Sequence, residues 1–128
     1  MGYLIDRNIP NLVAFHPSYP VTTTFAKEYA SGRIILQDKA SAIPAHLLMP
    51  EEGATVLDAC AAPGNKTTQL ASAVGLSGTV FAIEKDSKRV ETLRSMVEKA
   101  GASKCIIILS LAEPSHADPE YRFYSSQA

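Results

Sequence analysis

Three things this chain has little of narrow its chemistry at once: charge of one sign, cysteine, and long apolar runs. Twelve basic residues against thirteen acidic ones leave a net charge of −1, so no basic field argues for nucleic-acid binding on electrostatic grounds alone. Cys60 and Cys105 stand far apart with no CxxC spacing, which suggests neither a disulfide framework nor a zinc site and suits a reducing compartment. His16, His46 and His116 share no ligand spacing, and no metal site is expected. No apolar run approaches the ~20 residues of a membrane span. No basic segment followed by an apolar one opens the chain, and a soluble, intracellular protein is expected. Two loop signatures are also missing. There is no G-x-G-x-x-G for a nicotinamide dinucleotide, and Asn65 between Gly64 and Lys66, with Ala59 where an earlier glycine belongs, spoils a P-loop. At 128 residues, without internal repeats, the chain is one domain at most.

What is present centres on Leu57-Asp58-Ala59-Cys60-Ala61-Ala62-Pro63-Gly64-Asn65-Lys66-Thr67. Thr55-Val56-Leu57 before it is β-prone, and Leu70, Ala71 and Val74 after it fall at helical spacing. The loop therefore sits where a strand hands over to a helix, and amides at such a helix start suit an anionic group. Ala61, Ala62 and Gly64 leave the backbone open to close approach, Pro63 stiffens the turn, and Lys66 is available to set a positive charge over a ligand. About twenty residues beyond Gly64, Thr79-Val80-Phe81-Ala82-Ile83-Glu84 reads as a second strand ending in an acid, the usual arrangement for a carboxylate that accepts from ribose hydroxyls.

In order along the chain, prolines at 10, 17 and 20 argue against a continuous helix in that segment. Arg33 to Gln37 reads as a short strand, and Asp38 as the cap of a helix reaching Met49 and interrupted or restarted at Pro44. Then come strand 55–60, helix 66–74, strand 79–84, helix 87–100 and strand 105–109. Val90, Leu93, Met96 and Val97 form the apolar face of the longest helix, while Val80, Phe81, Ile83 and Cys105 read as core. Strands alternating with helices at this period imply an α/β fold with a parallel, wound sheet. The division expected is 1–50, an irregular segment with a short strand and helix; 51–110, the cofactor domain; and 111–128, an irregular tail.

The stretch Gly32-Arg33-Ile34-Ile35-Leu36-Gln37-Asp38-Lys39-Ala40-Ser41, followed by Asp58 through Thr67, resembles the Sun/Nop family of RNA (cytosine-5) methyltransferases, nearest to the eukaryotic branch acting on large-subunit ribosomal RNA. The resemblance runs from about Pro10 to about Tyr121. It implies a partial Rossmann-like methyltransferase fold, S-adenosyl-L-methionine as cofactor, ribosomal RNA as partner and a nuclear or nucleolar location. Carried over by residue, Cys60, Ala61, Ala62, Pro63, Gly64, Asn65 and Lys66 line the cofactor site, Glu84 takes the ribose hydroxyls, and Arg89 is a weaker carry-over. Cys60 is then a loop residue with a small buried thiol, not the nucleophile.

In that family a cysteine thiolate adds to cytosine C6 and a second cysteine serves the same chemistry, from Pro-Ser-Cys-like and Thr-Cys-Ser-like loops after the fourth and fifth strands. This sequence contains neither motif. Asp118-Pro119-Glu120-Tyr121 resembles the approach to the fourth strand, and Ser110 stands where the family places an adenine-side acid. The expectation is a donor half-site, truncated before the catalytic loops and inactive in isolation, with strand 55–60 left as an aggregation-prone edge. The alternative kept open is a non-catalytic module that binds cofactor, RNA or an assembly partner.

Overall fold

The computed structural model describes residues 2–111. Two short strands open it: β1 (Tyr3–Ile5) and β2 (Val13–Phe15) pair antiparallel, with Tyr3 opposite Phe15. Asp6 builds the reversal between them, its Oδ1 accepting from the amides of Asn8 and Ile9 at 2.9 Å each, while Asn11 takes the left-handed conformation that asparagine tolerates. Phe15, Tyr19 and Phe25 pack their rings together, Phe15 and Tyr19 stacked at 5.1 Å. Helices stay short beside the prolines: α1 (Val21–Thr24) and α2 (Ala26–Ala30).

The strand expected over 33–37 does not form. These residues pair with none of the described strands; the Leu36 carbonyl accepts from the Asn65 side chain and Gln37 Nε2 donates to Gln69 Oε1. The segment is held as a strap by these side-chain bonds and by one backbone bond, the Ile34 amide donating to the Glu28 carbonyl at 3.2 Å. Gly32 fixes where it starts: a Cβ there would lie 2.1 Å from the Lys99 carbonyl oxygen, so only glycine allows this approach. The strap leads into α3 (Lys39–Leu48), whose N-cap is Asp38 in extended backbone. Pro44 lies inside a single helix and does not restart it. Lys39 Nζ meets Asp6 Oδ2 at 2.5 Å. That hydrogen bond, with the Asn8 and Ile9 amides, lowers the Asp6 pKa from 3.8 to about 2.

The rest alternates as the pattern predicts: β3 (Thr55–Asp58), α4 (Asn65–Val74), β4 (Thr79–Glu84), α5 (Ser87–Lys99) and β5 (Ile106–Ser110). The sheet is parallel in the order β3-β4-β5, with Asp58 opposite Ala82 and Glu84 opposite Ser110. Side chains alternate across it, and Val56, Val80, Ala82 and Ile106 bury one face against Leu70 and Val74 of α4 and Leu93 and Val97 of α5. Cys105 joins this core, as expected. The other face carries Leu57, Ile107 and Leu109, all exposed. Phe81 and Ile83, expected in the core, are only half-buried because they stand on that second face. Of the tail expected from 111 onward, with His116 and Asp118 to Tyr121, all but Leu111 lies outside the described residues.

Candidate functional site

Parallel register brings the carboxyl ends of β3, β4 and β5 to one rim of the sheet. The motif loop, residues 59–64, leaves β3 at this rim and enters α4. Its backbone continues the sheet for one more bond, the Ala61 amide donating to the Ile83 carbonyl at 3.0 Å. Asp58 closes the loop from below: Oδ1 accepts from the Cys60 amide at 3.2 Å and Oδ2 from the Thr67 hydroxyl at 2.7 Å. The first backbone bond of α4 runs from the Thr68 amide to the Gly64 carbonyl, so the amides of 65–67 face out of the helix start.

Gly64, at φ 118°, is required by packing as much as by any ligand, since a Cβ there would sit 2.9 Å from Met96 Cγ and 3.2 Å from Leu93 Cδ1. Ala61 and Ala62 are buried and the Ala62–Pro63 peptide is cis. Pro63 and Cys60 are exposed. Cys60 is therefore exposed and not the buried group expected, while its amide is held by Asp58. Asn65 donates to Leu36, and Lys66 Nζ to Ser41 Oγ at 2.8 Å, so the cation anticipated over a ligand is tied to α3.

Glu84 ends β4 with its side chain only 3% exposed. Oε1 accepts from the amides of Lys85 and Asp86 at 2.9 and 3.1 Å, and Arg89 Nη1 stands 3.4 Å from Oε2. The Asp86 amide, then the Arg89 charge and the amides of Lys85 and Ala62, hold the carboxyl below its ordinary 4.5 against the opposing effect of burial. Arg89 also donates to the Ala62 carbonyl at 2.7 Å. One guanidinium thus joins the loop to the acid at the tip of the next strand. The structure brings Ala61, Ala62, Gly64 and Glu84 to one rim, with Asn65 and Lys66 turned toward the strap and α3.

Residues 45–120 match the family described as 16S rRNA methyltransferase RsmB/F. The chain belongs to that family. Curated relatives agree with the RsmB/F assignment. The chain is 43% identical over 105 residues to a mouse 28S rRNA (cytosine-C(5))-methyltransferase, covering 80% of this chain and 22% of the relative. It is 45% identical over 107 residues to the 25S rRNA (cytosine-C(5))-methyltransferase rcm1 of Schizosaccharomyces pombe, covering 82% and 23%. The chain therefore spans under a quarter of the length of these relatives.

Solved structures give the fold. A methyltransferase homolog protein from Pyrococcus horikoshii superposes with TM-score 0.65 at 30% identity, over 76% of this chain and 30% of that one. NSun6 from the same organism, solved with the S-adenosylmethionine analogue SFG, gives 0.61 at 28% identity, over 66% and 22%. The parallel sheet and its helices are thus part of a Rossmann-like methyltransferase fold, as the RsmB/F motif implies.

Asp58 and Thr67 are functional residues that the motif alone does not single out, although a strand-end acid with a hydroxyl nine residues on is a signal for a side-chain bond across the loop. A cleft of about 720 Å³ lies away from the rim, between the first hairpin, the strap, α3 and α4. Its lining includes Asn65 but neither Glu84 nor Arg89, so its size does not make it the site. Among the described residues no group of three metal-ligating side chains occurs, and no helix is long and apolar enough to cross a membrane.

Proposed function

We propose that the described residues form the donor half-site of an S-adenosyl-L-methionine-dependent RNA (cytosine-5) methyltransferase that acts on ribosomal RNA in the nucleolus. The observation that carries this reading is the meeting of the 59–64 loop with the Glu84 carboxylate at adjacent strand tips of a methyltransferase fold, joined by Arg89. Cys60 through Gly64 line the cofactor, whose sulfonium would supply the methyl group, while the Asn65 and Lys66 side chains tie the loop's exit to the strap and α3. Glu84 fits the ribose hydroxyls because it is ionised and fixed by two amides. Its contact with Arg89, at 3.4 Å on a half-exposed guanidinium, is the one a sugar hydroxyl most readily displaces. Residues 51–110 carry this half-site in the proposed division, and residues 1–50 lead the chain into it. Names of the curated relatives support ribosomal RNA as substrate.

Neither cysteine is placed for attack on a base within this reading. Cys105 lies in the core just before β5, at the end of the sheet away from the rim, and Cys60 belongs to the proposed cofactor loop. Methyl transfer thus belongs to the whole protein, and donor binding to this half-site. Photocrosslinking with tritiated S-adenosylmethionine tests the assignment: label is expected in the peptide containing residues 58–66. Label confined to the cleft lined by Asn11, His46 and Ser72 would overturn it.

A further inference from the structure

The Asp58 side chain is joined to both ends of the loop that the proposed cofactor rests on. It is half-buried, and each carboxylate oxygen has its own donor: the Cys60 amide for Oδ1 and the Thr67 hydroxyl for Oδ2. Thr67 is wholly buried, 0% exposed, and its hydroxyl lies 3.1 Å from the Ala61 carbonyl as well as 2.7 Å from Asp58. A threonine inside a helix ordinarily returns its hydroxyl to its own helix, as Thr68 does to Gly64 and Asn65. Thr67 instead spends its single proton across the loop, where no solvent reaches it.

We infer that Asp58 and Thr67 are positioning residues for donor binding, a latch that fixes the Cys60–Gly64 backbone through the Cys60 amide and the Ala61 carbonyl without touching the cofactor. The inference rests on the cofactor reading above and adds the device that sets the loop's shape. The chemistry requires this pair. A carboxylate at the strand tip offers two acceptors, one for the backbone on its own side of the loop and one for the helix beyond. Asparagine at 58 keeps the shape but turns one acceptor into a donor that faces either the Cys60 N–H or the Thr67 oxygen. Valine at 67 keeps the volume, removes the hydroxyl and leaves Oδ2 without its buried donor. Serine at 67 keeps the hydroxyl. Pre-shaping matters because a cofactor that must order a loose loop loses affinity to that ordering.

The test compares the parent chain with Asp58→Asn, Thr67→Val and Thr67→Ser by two readouts: calorimetric titration with S-adenosylmethionine, and amide hydrogen exchange of Cys60 and Ala61 against Val80 and Ala82. Thr67→Val and Asp58→Asn are expected to bind about tenfold more weakly, and Thr67→Ser within about threefold of the parent. Loop amides should exchange faster in the first two, with β4 amides unchanged. Equal affinity in all four proteins would overturn the latch. So would weaker binding that appears only with loss of β4 protection and is not restored by serine, the signature of a purely structural threonine. A parent chain that does not bind, yet shows the loop-exchange differences, overturns the cofactor reading and the positioning role with it. The exchange data separate that failure from a latch that never forms.

Discussion

At the scale of single residues, Glu84 and Asp6 are carboxylates held by amides and one cation each, and both titrate below their ordinary values. A depressed folded pKa adds stability above the unfolded value and loses it as pH falls through the folded one. Folding should therefore be strongest above pH 4.5 and weaken as pH falls from there toward 2. Denaturant midpoints measured at neutral pH and near pH 3 check this, and a flat profile would contradict it. Gly64 gives a second expectation at this scale. Alanine there meets Met96 Cγ at 2.9 Å in a backbone conformation that L residues avoid, and should cost about 1–3 kcal/mol in thermal or chemical unfolding. Gly64 was legible as an open-backbone position, but its packing against α5 was not, because Met96 and Leu93 lie far along the chain. The Lys66–Ser41 and Arg89–Ala62 bonds were hidden for the same reason.

At the scale of elements, the alternation of strands and helices from Thr55 onward was legible because each element is long enough to show its period. Strand 79–84 matches to the residue, and α5 buries Val90, Leu93 and Val97 as its spacing requires. Residues 2–37 were not legible in that way. Strands β1 and β2 have three residues each, too few for alternation to register, and are made by an Asp6 turn. Arg33 to Gln37 has strand composition but pairs with no described strand, and composition does not show a missing partner. Two element-level outcomes follow. Leu93, fully buried between α5 and the sheet, should cost about 2–5 kcal/mol when changed to alanine. Pro44, exposed within α3, denies Ala40 its helical donor, and Pro44→Ala should stabilise the chain by on the order of 1–3 kcal/mol. Equilibrium unfolding of both variants decides them; a destabilised Pro44→Ala would mean that the proline shapes α3.

At the scale of the whole molecule, the described helices that pack on the sheet lie on one face, and Leu57, Ile107 and Leu109 remain exposed on the other, with β3 at an edge. An apolar face beside an open edge favours self-association. The chain should sediment as larger species at tens of micromolar, and Leu57→Lys with Ile107→Thr should shift it toward monomer; a parent that stays monomeric would contradict this. The proposed donor site lies elsewhere, at the rim where the strand tips meet. That rim is where the central claim is decided. Calorimetric titration of S-adenosylmethionine into the parent chain and into Glu84→Gln should show saturable binding by the parent and affinity lower by about tenfold in the variant, the effect of losing a charged acceptor. Equal affinities, or a folded parent that takes up no cofactor, would contradict the account.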